Sequence, residues 1–531
     1  MVASRLLGLA NQEPESPIMP IWLGWAFTLF IFQVVHLFSP ITAYVTTPVL
    51  AFGVACSISQ IRFKVRSLPS HQPGRPLLIV AIILALGLAA WIASRAMLPP
   101  IHIDSGLYHF NTIRWINTYP IVPGLGNLHG RLAFNQSFFT YVAALNFYPI
   151  FGHGHSIANS FLLLLTIASF IDLLRPVFKR PYLLIESHPY QYTSIIILFP
   201  ALGYLAIFST GLSSPSPDFA STLLQIMMIT MLAQIISEWK SYQTIQDYRA
   251  IFICILATTA ITIKLSNLLF STVIMGFIFL LFVRKLDAIH VLVRMVALSS
   301  AIIIVWCVRS VVLSGVPLYP STIGYLPTEW AVPIEKVADE ANWIYSWARQ
   351  PHKHWSNVLG NWDWFRPWLA QLSNKRVDVV YPLSLSVLFL IITLTICRFK
   401  KAIQLLYLEA AILLPPIIGL IFWFFTAPDP RFAQGFFLII PMCSILIFLS
   451  SIQNKINRRK FFFVFLVVIV IANLNFAAHF MKYCGAINSI SVSGWHPIQD
   501  VQLELKVTTS GLSVYTPKIG DQCWDSPLPS T

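Results

Sequence analysis

The chain alternates long apolar runs with short polar breaks. Runs near the ~20 residues needed to cross a bilayer fall at 19–38, 41–60, 77–98, 155–174, 192–210, 218–237, 250–263, 266–283, 295–313, 379–397, 403–425, 432–451 and 461–480. The run 250–263 is short, and Lys264 alone separates it from the next. Basic residues collect in the breaks: Arg62, Lys64, Arg66 and Arg75; Arg175, Lys179 and Arg180; Arg398, Lys400 and Lys401; Lys455, Arg458, Arg459 and Lys460. All of them fall on one cytoplasmic side if the N-terminus is inside. The segment 133–151 is apolar enough to be a further span, but counting it would invert every later basic loop. It is therefore expected to lie in the interface or to re-enter, within a first outer loop at 99–154.

The pattern predicts an all-α polytopic membrane protein with about 13 transmembrane helices over residues 1–480. Its outer loops, 99–154 and 314–378, are expected to carry interfacial helices. The tail 481–531 is expected outside. There Val501–Val507 alternates apolar and polar residues, as a half-buried strand does, and Gly511–Tyr515 reads as a second strand across a turn. Together they suggest a small α/β or β cap. The loops 99–154, 211–218, 314–378 and 427–431 would then converge with the tail on one face.

Composition agrees with this picture. The 531 residues are 56% hydrophobic and only 11% charged, against about 25% charged in soluble domains. The net charge of +14 sits in inter-span loops, which argues against nucleic acid as a partner and for the lipid bilayer. Residues 1–18 read as a short polar lead, not a signal-peptide pattern. Cys56, Cys254, Cys307, Cys397 and Cys443 lie in or at the ends of apolar runs and read as small core residues. Only Cys484 and Cys523 fall in the tail, where they could pair in an oxidising compartment. Seven tryptophans crowd the loop 314–378: Trp330, Trp343, Trp347, Trp355, Trp362, Trp364 and Trp368. Tryptophan favours membrane interfaces, so one or two amphipathic helices on the bilayer are expected. Stacking on sugars or on a lipid chain would use the same rings.

Candidate chemistry concentrates in Ile101–Trp115, which carries His102, Asp104, Tyr108, His109 and Arg114 just past an apolar run. Ionisable groups at a membrane boundary suggest function. As an α-helix the segment would place Asp104, Tyr108, Asn111 and Trp115 on one face. The same residues also suit a solvated loop in which Asp104 caps a helix. Lys264, Arg309 and Arg431 run against the positive-inside bias at positions expected outside. They could bind a phosphate, or pair with Asp218, Asp378 or Asp429 to hold loops together. His153 with His155, and His352 with His354, stand without an acid or cysteine at metal spacing. No metal ligand is therefore assigned, and a divalent cation stays open as a cofactor.

An acid just past an early span, followed by Tyr-His in a long outer loop, resembles the GT-C superfamily of membrane glycosyltransferases. That resemblance implies sugar transfer from a polyprenyl-phosphate carrier to a glycan, lipid or protein acceptor, on the outer face of a bacterial inner membrane. It implies Asp104 as catalytic base. Under that activity the outer charges Lys264, Arg309 and Arg431 are expected to hold the leaving phosphate, with Tyr108, His109, Arg114, Asp218 and Asp429 also around the substrates. Many members have a second acid beside the first; Ser105 stands there in this chain. The chain also resembles a poorly characterised family of bacterial multi-spanning proteins. That likeness rests on Ser213-Ser-Pro-Ser-Pro-Asp218, Lys264-Leu-Ser266, Ser314-Gly-Val-Pro-Leu-Tyr-Pro320, Pro428-Asp-Pro-Arg-Phe432 and Asp521-Gln-Cys-Trp524. The competing readings are a transporter or flippase of a lipid-linked or anionic substrate, and a polysaccharide polymerase or ligase.

Overall fold

A computed structural model describes residues 18–64, 75–180, 183, 189–242, 246–283, 288–396, 407–453, 455–487 and 496–530. A helix stands on each of the apolar runs: α1 (Met19–His36), α2 (Ala43–Lys64), α3 (Arg75–Ala96), α6 (Gly154–Lys179), α7 (Pro189–Phe208), α8 (Pro217–Tyr242), α9 (Asp247–Ile263), α10 (Leu268–Val283), α11 (Ile289–Ser314), α14 (Tyr381–Ile396), α15 (Tyr407–Thr426), α16 (Gln434–Ile452) and α17 (Arg458–Ile487). Counting the short turns that lead into α10, α14 and α16, seven of the described helices are long and apolar enough to cross a membrane: α1, α6, α8, α10, α11, α14 and α16. Shorter apolar stretches lie in α2, α3, α7 and α15. The molecule is an all-helical polytopic membrane protein with a small β hairpin near its C-terminus. The basic residues Arg66, Arg398, Lys400 and Lys401 lie outside the described residues.

Helix α8 forms the centre. It is buried along its whole spanning length, as a helix surrounded by others is. Helices α6, α7, α9, α15 and α16 pack on it. The short α9 is buried on every side from Tyr248 to Ile263. The peripheral helices instead turn large apolar side chains outward, among them Ile83, Leu84 and Leu86 on α3 and Val387, Leu388 and Ile391 on α14. Exposed apolar side chains of this kind on spanning helices are what a bilayer covers.

The segment 133–151 holds only α5 (Phe138–Leu145), eight residues, which reach about 12 Å at 1.5 Å per residue. It cannot cross a bilayer core of about 30 Å. It is buried between α1, α6 and α4 (Phe110–Thr118). A chain of amides fixes these elements: Asn117 Nδ2 donates to the carbonyls of Ile41 (2.6 Å) and Ala143 (2.9 Å), and Asn146 Nδ2 donates to Asn117 Oδ1 (2.8 Å).

The loop 314–378 contains two helices, α12 (Ile334–Arg349) and α13 (Phe365–Asn374). Trp368 of this loop and Trp423 of α15 do more than coat a surface. Trp368 Nε1 donates to Pro428 O and Trp423 Nε1 to Asp429 O, both at 2.7 Å. Arg349 donates to the last carbonyls of α15, Phe425 O and Thr426 O, at 2.8 Å, where orphan carbonyls favour a cation. The turn 427–433 is thereby fixed from outside.

In the tail, β1 (Leu503–Val507) pairs antiparallel with β2 (Ser513–Pro517), in the register Leu503 to Pro517 through Val507 to Ser513. The expected half-burial fails on β1: Leu505 and Val507 are 60% and 68% exposed, because a two-stranded ribbon has no second layer to cover that face. Cys523 is buried. The expected pairing with Cys484 falls on a side chain outside the described residues.

Candidate active site

The site forms at the end of the bundle where α3 finishes, α8 begins and the long loops gather. It starts from a local irregularity. Residues Ser105–His109 form a π turn that runs into α4. A π turn closes i to i+5 bonds and often marks functional sites. Its wider turn breaks the expected grouping of side chains. Asn111 rotates away and donates from Nδ2 to Ser530 O and Oγ of the tail, both at 2.8 Å. Trp115 goes to a separate cavity with Thr112.

Asp104 sits between two guanidinium groups. Its Oδ2 is 2.8 Å from Arg431 Nη1 and its Oδ1 is 3.3 Å from Arg131 Nη1. Each arginine has a second acid. Arg431 Nε lies 3.4 Å from Asp429 Oδ2, and Arg131 Nε lies 3.5 Å from Glu340 Oε1. Asp429 also accepts at Oδ1 from the Arg431 backbone N–H, at 3.0 Å. The result is one alternating row of charges, Glu340–Arg131–Asp104–Arg431–Asp429, drawn from loops far apart in sequence. Burial pushes the Asp104 carboxyl up, but the charges of Arg431, Arg131 and Lys264 outweigh it and hold the group below its ordinary range. Asp104 is an ionised acceptor.

A second ion pair lies beside this row. Lys264 Nζ contacts Asp218 Oδ1. The ammonium also stands 3.8 Å from the centroid of Phe432, whose ring carries the Arg431 guanidinium at 4.6 Å, so one aromatic ring serves two cations. Burial pushes the Lys264 ammonium down to about 7, with Arg431 adding to the shift and Asp104 and Asp429 opposing it. Lys264 is placed there because α9 ends at it in extended backbone, after which Asn267 is tied to α8 through Ser221 Oγ (3.0 Å) and Gln225 Nε2 (2.7 Å). His102 Nε2 meets Thr210 Oγ1 at 3.1 Å.

Tyr108 and His109 are buried behind Asp104. Tyr108 packs edge-on against Phe134 and Phe139. His109 Nδ1 lies 3.3 Å from Ser105 Oγ. Burial lowers the imidazole to about 3, so it is neutral. Tyr108, His109, Asp218, Lys264, Asp429 and Arg431 thus gather around Asp104. Two of the sequence candidates do not join them. Arg114 reaches the tail, donating to Asp525 O at 2.6 Å and pairing with Asp525 Oδ1 at 3.1 Å. Arg309 is buried elsewhere, bonded to Asn135, Gln33 and His36. Neither shares a partner with Asp104.

Two contributors escaped the sequence reading, and a third was expected only as part of the same face. Arg131 is a basic residue of the loop 99–154, so the charge bias that singled out Lys264 would have found it. Glu340 gave no signal within its amphipathic helix. The third is the tail, expected on this face but without its contact to the π turn. Trp524 N donates to Gly106 O at 2.8 Å, and its ring lies so close that a Cβ on Gly106 would stand 2.5 Å from Trp524 Cε2. Glycine is required in the π turn for this approach.

Among the described residues no group of three or more His, Cys, Asp or Glu is placed to hold a metal ion. The fold and this cluster define a polytopic helical membrane protein with a charged, partly buried site at one end of its bundle. The chain belongs to the family described as Domain of unknown function (DUF8201), whose model matches residues 1–438. No curated protein and no solved structure matches it.

Proposed function

We propose that this protein is a glycosyltransferase that takes a sugar from a polyprenyl-phosphate donor at the outer face of a bacterial inner membrane, built on a GT-C-like arrangement of 13 spans. In this reading the N-terminus is inside, and the charged end of the bundle, the loop helices and the tail hairpin are outside. The observation that carries it is the bracketing of a single ionised carboxylate, Asp104, by two arginines beside a lysine. Bidentate guanidinium groups suit a phosphate, and a carboxylate suits proton removal from a hydroxyl. The acceptor oxygen attacks the anomeric carbon and loses its proton to Asp104. The bond from that carbon to the phosphate oxygen breaks, and its electron pair leaves on the polyprenyl phosphate. Arg431 and Lys264 stabilise the charge that develops there. In the resting row Arg131 and Arg431 occupy both Asp104 oxygens. A donor phosphate competes for those arginines, and their movement toward it frees the carboxylate as a base. Glu340 and Asp429 keep the arginines from straying when they let go.

The test is transfer of labelled sugar from a synthetic polyprenyl-phosphate donor by the purified, detergent-solubilised protein. Transfer that disappears with Asp104→Asn supports the reading. Movement of the intact donor across proteoliposome membranes, with no transfer, would make the protein a transporter instead.

A further inference from the structure

The tail hairpin leaves one of its edges bare. Backbone bonds at its two ends fix which groups point inward: Lys518 N donates to Gln502 O at 2.9 Å, and Thr508 N donates to Leu512 O at 2.8 Å. By the alternation of an antiparallel ladder, Glu504 and Lys506 then turn their N–H and C=O groups toward β2, and Leu503, Leu505 and Val507 turn theirs away. The far edge of β2 is covered, because Tyr515 N donates to Pro529 O at 2.9 Å and Tyr515 bridges to Ser530. Among the described residues no backbone group bonds the outward N–H and C=O groups of Leu503, Leu505 or Val507. The side chains of these three residues share one face, on which Leu505 and Val507 are exposed.

A bare apolar edge is a template for another strand. Lysine commonly blunts such edges, but Lys506 Nζ lies 2.6 Å from Glu504 Oε1 and is neutralised there. The pattern Leu503-Glu-Leu-Lys-Val507 also selects its partner, because it is complementary to itself in reverse. Turned antiparallel about Leu505, a second β1 sets Leu505 opposite its own copy and Leu503 opposite Val507 of the partner subunit. All of these are outward-turned residues, which meet as hydrogen-bonded pairs. On the opposite face the same register sets Glu504 against Lys506 of the partner subunit, and the reverse, as cross-strand pairs of unlike charge. A shift to either adjacent register with the same hydrogen bonding sets Glu504 against its own copy, or Lys506 against its own copy. Like charges directly opposite are destabilising, so the charges allow only the register about Leu505.

We propose that the occupant of this edge is a second copy of the chain, with β1 paired antiparallel to β1 of the partner subunit about Leu505, in a sheet that runs through both hairpins. The chain leaves β2 toward Trp524, whose N–H donates to Gly106 O, so the pairing joins the two tails that clasp the π turns. This inference is independent of the proposed transferase activity, since the interface and its readout involve neither donor nor acceptor.

The experiment is oxidative cross-linking of the full-length, otherwise cysteine-free chain in isolated membranes. Leu505→Cys should give a disulfide-linked dimer, because a residue opposite its own copy in a hydrogen-bonded pair has its Cα about 5.5 Å away, within disulfide reach. Val507→Cys should not, because its own copy lies about 14 Å off by strand rise. Leu503→Cys and Val507→Cys in one chain should cross-link again. Glu504→Lys sets like charges opposite and should lower the Leu505→Cys cross-link by about threefold or more, and adding Lys506→Glu should restore it. As a second readout, differently tagged copies should co-purify from mixed membranes. Leu505→Pro removes only an outward N–H that an edge strand can spare; it should abolish co-purification and leave thermal unfolding unchanged. Absence of a cross-link at Leu505→Cys overturns the proposal, whether the protein is then monomeric or carries a foreign strand on this edge. So does a dimer whose yield is the same with Glu504→Lys.

Discussion

Asp104 carries the most chemistry of any single residue. Two arginines hold its carboxylate ionised, so its depressed pKa keeps it available as an acceptor at all pH values above the ordinary carboxylate range. Asp104→Asn keeps shape and hydrogen bonding but removes the basic oxygen. Transferase activity should fall by roughly 10²–10⁴-fold, with little change in protein yield. An Asn variant with full activity would move the base to Asp218 or Asp429. Lys264 makes a different prediction. Burial lowers its ammonium to about 7, so the proton is lost as pH rises through that value. Binding of an anionic donor should weaken from pH 6 to pH 8.5, measured as Kd in a filter or fluorescence assay. Lys264→Arg, which stays charged throughout, should flatten that profile. A wild-type profile already flat would show that the lysine does not hold the phosphate.

The decisive element is the π turn Ser105–His109 with its clasp from the tail. The turn sets where Asp104 points, and Trp524 and Asp525 hold it from behind. Gly106→Ala would force a methyl group against the Trp524 ring. It should cost about 1–3 kcal/mol, as overpacking does, and should lower activity as Asp104 shifts. In a Trp524→Ala background the same change should cost much less, a coupling that a double-mutant cycle of melting curves would read. Equal costs in the two backgrounds would mean the clasp is not tight. The turn 427–433 is the matching element on the other side. The Trp368 and Trp423 N–H groups hold its carbonyls, so Trp368, from the loop whose composition reads as interfacial, helps Trp423 of α15 to position Arg431.

At the scale of the molecule, the bundle buries α8 and turns apolar side chains outward, and orientation is the property to measure. Cysteine substitutions in an otherwise cysteine-free chain, probed with an impermeant maleimide on intact cells, should label Glu340 and Ser510 from outside. Lys179 should label only after permeabilisation. Labelling of Lys179 and Ser510 from the same side would sink the 13-span arrangement.

The sequence by itself determined the helices, because a run of about 20 apolar residues has few stable states other than a buried or bilayer-spanning helix. It also kept 133–151 out of the span set: moving one apolar segment across the membrane reverses every basic loop after it. Lys264 and Arg431 are legible as charges placed against the positive-inside bias, and Asp104 as an acid just past an apolar run. Only the tertiary structure decided which charges meet. Asp104 and Arg431 lie more than 300 residues apart, and nothing periodic links them. The separation of Arg309 from that group, and the capture of Arg114 and Asn111 by the tail, follow from helix packing and from a π turn that shifts side-chain direction by a fraction of a turn. Hydropathy averages over that scale, whereas an ion pair of 2.8 Å between Asp104 and Arg431 does not.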